Sequence, residues 1–468
     1  MSSWSLRYHA RFLPCLLSLA AVSLFTAGCG GAIDSTIATS SAITGPAFLV
    51  GTDAPLASVT SFAVQVQAIN AIDTSGKSVA LLSGSPTVDF ARFNGLQTLL
   101  DMNDVPVGTY TSVAITLGPA TIGYLNTPSG SAPTIQTQAA TLTTSTVSIT
   151  LAAPLIVSQI EPVGLHVDFD LRKSIQLDSK GQITGQVTPT FTVNVVGKGD
   201  SGAYIDEFDA AVVSVNTAAQ TFVIQGPHGR QFTVNVNGNT QWDNNDSLSA
   251  LTTSSIVQVS GTLDKADATV DADEVAILSQ NGFFADGQVT YVQPASGAAT
   301  SFDLYVRGLL PTTTGLSLGQ IAQINLTGQE NFFIYRMHNP LTQFLFNSSG
   351  LLAGQALAIG GPASGATNPQ AVSVKRVVLR HWGFNGTVVA GSLNPANSTF
   401  QMQINGFAGL LIPQTVTVYL ANNSTYRNGL TGMSGVPASV NVRVVGLLLK
   451  DPVSGQTVLL ARYVDGLN

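Results

Sequence analysis

His166, Asp168, Asp170, Arg172 and Lys173 fall within nine residues, HVDFDLRKS, of a chain that is only 10% charged. Imidazole and carboxylate groups this close invite a metal-site reading: His166, Asp168 and Asp170 offer nitrogen and oxygen ligands to a divalent cation. On a strand, side chains alternate faces. Val167, Phe169 and Leu171 then point to the core, and His166, Asp168, Asp170 and Arg172 point the other way, about 7 Å apart. One strand supplies only part of a coordination shell. The expectation is therefore a polar strand face whose acids pair with Arg172 or with cross-strand groups. A metal site would need a neighbouring strand to complete it.

A second acidic group, Asp264, Asp267, Asp271, Asp273 and Glu274 in DKADATVDADEV, matches the hard-oxygen chemistry of calcium. It lacks EF-hand spacing and falls in an expected hairpin loop, where acids are ordinarily solvated. Nucleophilic catalysis has little support: there is no HExxH helix, phosphate loop or zinc spacing. Beyond the N-terminal leader, the histidines are His166, His228, His338 and His381, widely scattered. The aromatic candidates for sugar stacking are Trp242, Trp382, Tyr305, Tyr335, Tyr419 and Tyr426, and one aromatic per small barrel is ordinarily core. No catalytic residue and no cofactor is expected.

The elements that must carry these groups begin with a leader. MSSWSLRYHAR carries Arg7 and Arg11 and no acid. The apolar FLPCLLSLAAVSLF follows, then small residues, which is the pattern of a secretory signal over 1–28. The close, TAGCGG, resembles the lipobox of bacterial lipoproteins. That resemblance implies cleavage before Cys29 and lipid on its thiol. Thr26 departs from the usual leucine, and a simple secreted protein cut near the same place is the alternative. Gly30, rather than aspartate, follows the cysteine, and the bacterial sorting pattern then implies the outer membrane. Cys15 leaves with the signal, so the mature chain holds one cysteine and no internal disulfide. Its formal charge becomes 17 − 26 = −9, from 19 basic and 26 acidic residues overall. An acidic chain without a basic stripe is a poor nucleic-acid partner.

Residues 29–45 read as a small, polar tether. Gly (45 residues), Val, Thr, Ser and Asn then dominate a 44% apolar chain, a composition that favours strands and turns. In VTSFAVQVQAINAI, Phe62, Val64, Val66 and Ala68 alternate with Ala63, Gln65 and Gln67, as a half-buried strand requires. FNGLQTLLDMNDVPVGTYTSVAITL reads as an irregular or helical piece, a turn at 106–108 and another strand. STVSITL, HVDFDLRKSI and PTFTVNVVG follow. These strands predict an antiparallel β-sandwich over 46–198. GTDAP, DVPVGTYTSVAITL, VDFDLRKSI and VTPTFTV, in that order, resemble domain-of-unknown-function family 4382 over roughly 46–197. The resemblance implies a secreted or lipid-anchored bacterial domain with no assigned activity.

Three later segments open alike: DAAVVSV, DGQVTYV and NGTVVAG, with Val212, Val289 and Val388 in register. Each continues through a middle strand to a closing hairpin. This predicts three small OB-like β-barrel modules over 203–280, 282–380 and 381–468. They resemble domain-of-unknown-function family 5666, whose short barrels occur in tandem. The sequence thus points to an all-β, lipid-anchored envelope protein. The expected role is non-enzymatic, a binding or structural module array with a glycan or protein partner. A surface hydrolase acting on glycans or peptides is the alternative.

Overall fold

The computed structural model describes residues 43–467, apart from 55, 57–58, 127–131, 198–199, 201–202, 227–230, 244–245, 265–268, 312–314, 335–340, 406–412, 428, 437–438 and 440. The expected signal, Cys29, the tether up to 42, His228, Asp267, Tyr335 and His338 lie outside the described residues, as does the side chain of Asp264. Among the described residues, no helix is long and apolar enough to cross a membrane.

The first region holds β1 (Thr44–Ala54), β2 (Ser61–Asp73), β3 (Ser78–Ala80), β4 (Thr87–Asp89), β5 (Thr98–Pro106), β6 (Gly108–Asn126), β7 (Thr134–Leu142), β8 (Thr146–Val157), β9 (Val163–Asp170), β10 (Ile175–Leu177), β11 (Ile183–Val187) and β12 (Phe191–Gly197). One sheet runs β12-β9-β1-β5. The other runs β10-β11-β7-β6-β2-β3, with β4 on β2 and β8 on β6. Phe62, Val64 and Val66 of β2 face Leu165, Val167 and Phe169 of β9 across one core, all of them buried. The Phe62 and Phe169 rings meet edge to face at 5.1 Å. Burying each such ring contributes about 1.5–3 kcal/mol. The expected sandwich is present, with two parallel pairings in it: β1 with β9, and β11 with β7.

Two local readings change. The stretch expected to be irregular or helical forms β5, because Thr98–Pro106 pairs with β1. HVDFDLRKS is not strand throughout. β9 ends at Asp170, which caps a helical turn, α1 (Leu171–Ser174), by accepting from the Lys173 amide at 3.1 Å. Aspartate is a preferred N-cap, and that local bond outweighs continuation of the strand.

The next strands are β13 (Tyr204–Asn216), β14 (Thr221–Gln225), β15 (Gln231–Asn235), β16 (Gln241–Trp242), β17 (Ser255–Asp264) and β18 (Thr269–Gln280). β13 pairs β14 and β17, β14 pairs β15, β15 pairs β18 in parallel, and β18 pairs β17. That ring is a five-stranded barrel. β19 (Gly282–Gln293), β20 (Ser301–Leu310), β21 (Ile321–Asn325), β22 (Asn331–Phe333), β23 (Ala356–Pro362), β24 (Val372–Ser373) and β25 (Arg376–Arg380) follow. They have the same pairing order, except that the closing strand is split. β24 meets β21 in parallel, and β25 meets β23. β26 (Trp382–Val388), β27 (Thr399–Ile404), β28 (Gln414–Arg427), β29 (Asn441–Lys450) and β30 (Thr457–Gly466) form a closed barrel in the order β26-β27-β28-β30-β29. In β27, Phe400, Met402 and Ile404 are buried while the intervening Gln401 and Gln403 are exposed, the period-two pattern of a barrel wall.

Ala42–Asn468 forms one compact unit, and its apolar clusters explain why. Phe48, Val50, Leu99 and Met102 of the sandwich pack into the core of the first barrel. Leu447, Leu449, Val458 and Leu460 of the third barrel pack against the core of the second. Such strands are apolar on both faces: in β29 the residues from Val442 to Leu449 are all buried. A continuous apolar run is what a strand covered on both sides requires.

A charged cleft where four units meet

The polar face of β9 is not left to solvent. Arg443 of β29 is buried against β1 and donates to the Asp53 carbonyl at 3.3 Å. Parallel pairing sets Thr52 of β1 opposite Asp168 and Asp53 opposite Phe169, so GTDAP and HVDFDLRKS adjoin. Asp53 is fully buried, and its carboxyl accepts from the Leu171 amide at 3.4 Å. Burial pushes the Asp53 carboxyl well above its ordinary value, the Asp168 charge adds to the push, and Arg443 opposes it. Asp168 is raised for the same first reason. Asp170 serves Lys173 through both its cap and a 3.1 Å ion pair. Among the described residues, no three His, Cys, Asp or Glu side chains are placed to hold a metal ion. His166 and Asp168 lie under the charges of Arg427 and Arg443 of the third barrel, part of its docking face, while Asp170 is spent on the cap. In the other acidic stretch, Asp271 accepts from Asn235 at 3.0 Å, and Glu274 lies 3.7 Å from Arg462.

His166 gives this face a pH signature. Burial, with the Arg427 charge, pushes its ring down to about 4. Between about pH 6.5 and 4 the unfolded ring then binds a proton that the folded one refuses. Stability falls as pH falls through that window, by about 3 kcal/mol. Urea midpoints measured from pH 7 to 4 should show this slope, and His166→Gln should flatten it. An unchanged slope in the variant would place the acid sensitivity elsewhere.

A larger gathering of charge lies where the sandwich and all three barrels meet, around a cleft of about 200 Å³. Residues 90–97 of the sandwich form its hub. Arg92 lies 3.5 Å from Asp209 of the first barrel and 3.4 Å from Asp286 of the second. Arg307 of the second barrel donates to the Ala91 carbonyl at 3.0 Å and stacks over Trp382 of the third, 4.5 Å from its ring centre. Arg380, at the end of the second barrel, pairs with Glu207 at 3.0 Å and Asp209 at 3.1 Å, both from the first. His381 bonds Glu207 as well. Arg462 and Tyr463 of the third barrel reach back to Asp206, the tyrosine hydroxyl at 2.7 Å. The remaining walls are mostly apolar, among them Val66, Ile69, Leu82, Val88, Phe93 and Leu100, with Thr87, Asp89, Gln97 and Thr98 between them.

Backbone irregularities aim these acids. The β13–β17 register slips between Ile205 and Phe208, and within that bulge Glu207 adopts φ +46. A left-handed residue other than glycine costs about 1–2 kcal/mol, and bulges recur where a side chain must be redirected. A second slip, between Asp286 and Gly287, turns Asp286 into the cleft. Burial alone would raise the Glu207 carboxyl, but His381 and Arg380 outweigh it and hold the group well below its ordinary value. Asp209 goes the other way. Burial raises it to about 6 against Arg380 and Arg92, and the nearby Asp286 charge adds to the rise.

Of the sequence-derived candidates, this cleft collects His381 and Trp382; the family-signature acids lie on the docking face. Trp242 and Tyr426 pack in barrel cores, Tyr305 is buried, and Tyr419 meets Phe344 edge to face. The acids at the centre escaped notice. Their signal was in the repeat: Asp209, Asp286 and Asn385 each stand three residues before Val212, Val289 and Val388.

Fold and cleft together define a multi-barrel, all-β protein with an apolar cavity ringed by neutralised charge. Its residues 48–189 match the model of one family, described as "Domain of unknown function (DUF4382)". No curated protein matches the chain.

Proposed function

We propose that the chain is a lipid-anchored protein of the bacterial outer membrane that binds a ligand without transforming it. We also take the three barrels to be tandem copies of one module of the family-5666 kind. The observation that carries the binding reading is the state of the cleft's charges. Glu207 and Asp209 are held by Arg380, Asp286 by Arg92 and Asp206 by Tyr463 and Arg462, so the acids are spent on joining four units. What the cleft offers a visitor is apolar wall with a few fixed polar groups, the usual make-up of a binding site. The anchor rests on TAGCGG and Cys29.

One observation favours a hydrolase as the second reading. Asp209 and Asp286 share the Arg92 guanidinium, and Asp209 is raised to about 6, which suits a general acid. A single experiment separates the readings. Cys29→Ser should move the protein from the membrane fraction to the soluble one. That soluble form should turn over chromogenic glycosides and peptides no faster than the same form carrying Asp286→Asn. Unchanged fractionation would refute the anchor, and turnover lost with Asp286→Asn would establish the hydrolase.

A further inference from the structure

We propose that the junction cleft takes a small apolar carboxylate, held by a fork of donors on Arg307; this rests on the binding reading above. Of the three arginines that line the cleft, Arg307 alone makes no close ion pair; the Asp89 and Asp286 charges oppose it from a distance. Arg92 and Arg380 have their acids within 3.0–3.5 Å, as described. Arg307 is only 5% exposed and spends Nη1 on the Ala91 carbonyl. Its Nε and Nη2 have no hydrogen-bond partner, and no carboxylate lies within ion-pair distance of its guanidinium among the described residues. A guanidinium stays charged even when buried, and unserved buried donors cost stability until an acceptor arrives.

The identity of the two spare atoms points to the ligand. Nε and Nη2 form one side of the guanidinium, two parallel N–H groups at the spacing of two carboxylate oxygens. The Trp382 ring serves the guanidinium carbon through its face, 4.5 Å away, and takes neither of these N–H groups. A phosphate dianion presents similar oxygens, but Asp89, Asp206, Glu207, Asp209 and Asp286 also line the cleft and disfavour a second negative charge. The apolar wall selects a hydrocarbon body. A cavity of about 150 Å³ accepts benzene, so about 200 Å³ holds a ligand of roughly eight heavy atoms. Neither nitrogen is open to solvent or to the cleft space itself, so binding needs a side-chain shift that turns the fork into the cleft, of the kind common on binding.

The test titrates the full-length chain with hexanoate, hexan-1-ol and inorganic phosphate, by calorimetry and by tryptophan fluorescence, which Trp382 should report. Hexanoate should bind saturably, at least tenfold tighter than hexan-1-ol and tighter than phosphate. Arg307→Lys keeps the charge but not the fork, and should weaken hexanoate at least tenfold. Leu318→Trp, at a rim position 59% exposed, narrows the mouth without touching the core and should weaken it several-fold with an unchanged melting temperature. Equal binding of hexanoate and hexan-1-ol, both weakened by Leu318→Trp, would overturn the carboxylate and keep the binding cleft. Preferential phosphate binding would overturn the apolar carboxylate. Hexanoate binding indifferent to both substitutions would remove it from the cleft. Binding of none of the three would overturn this proposal and count against the binding reading beneath it.

Discussion

Replacing Arg380 with methionine lowers the folding stability by about 3–5 kcal/mol, the cost of leaving buried charge without its partner. Arg380 is buried, as are Glu207 and Asp209, with which it makes ion pairs of 3.0 and 3.1 Å. Methionine keeps much of the stem and none of the charge. Asp209, already raised to about 6 by burial, then keeps Arg92 at 3.5 Å and the Gln258 amide at 3.4 Å. Denaturant unfolding at pH 7 gives the magnitude, and a loss below about 1 kcal/mol would show that the pair is effectively solvated. Adding Asp209→Asn to the variant should recover part of the loss, because removing both charges is far cheaper than stranding one. The pH dependence follows from Glu207. Its folded carboxyl titrates below the unfolded one, so its stabilisation is present above the unfolded value and disappears as pH falls through the folded one. Without Arg380 that depression shrinks, and acid unfolding should begin at a higher pH than in the parent. Calorimetry should also resolve more than one transition, since Arg380 ties the first barrel to the end of the second.

The β elements were legible because they obey a simple rule. Alternation places Phe62, Val64 and Val66 in the core, and they lie there. Pairing partners follow no such local rule. Nothing inside Thr98–Pro106 announces that it pairs with β1 some fifty residues earlier, so a strand was read as irregular or helical chain. The same limit applies to the chemistry. HVDFDLRKS stood out because its charges adjoin in sequence, yet its acids end in a cap and a docking face. Besides Asp206, Glu207 and Asp209, which adjoin in YIDEFDA, the cleft is assembled from Arg92, Asp286, Arg307 and Arg380, each nearly alone among apolar neighbours in its own segment. A lone charge in a strand otherwise buried on both faces is the pattern that would find them. Such a group is expensive unless another unit brings its partner. In "LYVRGLL", "VVLRHWGF" and "VNVRVVGLLL", the solitary Arg307, Arg380 and Arg443 are all interface residues.

Arg443→Met should undock the third barrel from the sandwich, with a loss of about 3–5 kcal/mol at pH 7 that shrinks on acidification. The guanidinium opposes the charges of Asp465, which Arg427 also holds at 2.6 Å, of half-buried Asp168 and of buried Asp53. One Asp53 carboxyl oxygen and one Asp168 oxygen have no hydrogen-bond partner, so these acids lean on Arg443 electrostatically. Its chain is also part of the fit. Gly95 has φ +86, and a side chain there would come within 2.9 Å of the Arg443 Cδ. Methionine retains that packing and isolates the charge. The sign of the pH effect is set by the acids left behind. Both are already raised in the folded state, and losing the cation raises them further. The folded variant then binds protons that the unfolded chain does not, so its stability falls as pH rises through the folded values. Relative to the parent, the deficit should be greatest at neutral pH and smaller near pH 5. Urea midpoints of parent and variant at the two pH values measure it. A deficit that stays constant with pH would mean that Arg443 acts through packing alone, and that Asp53 and Asp168 do not depend on its charge.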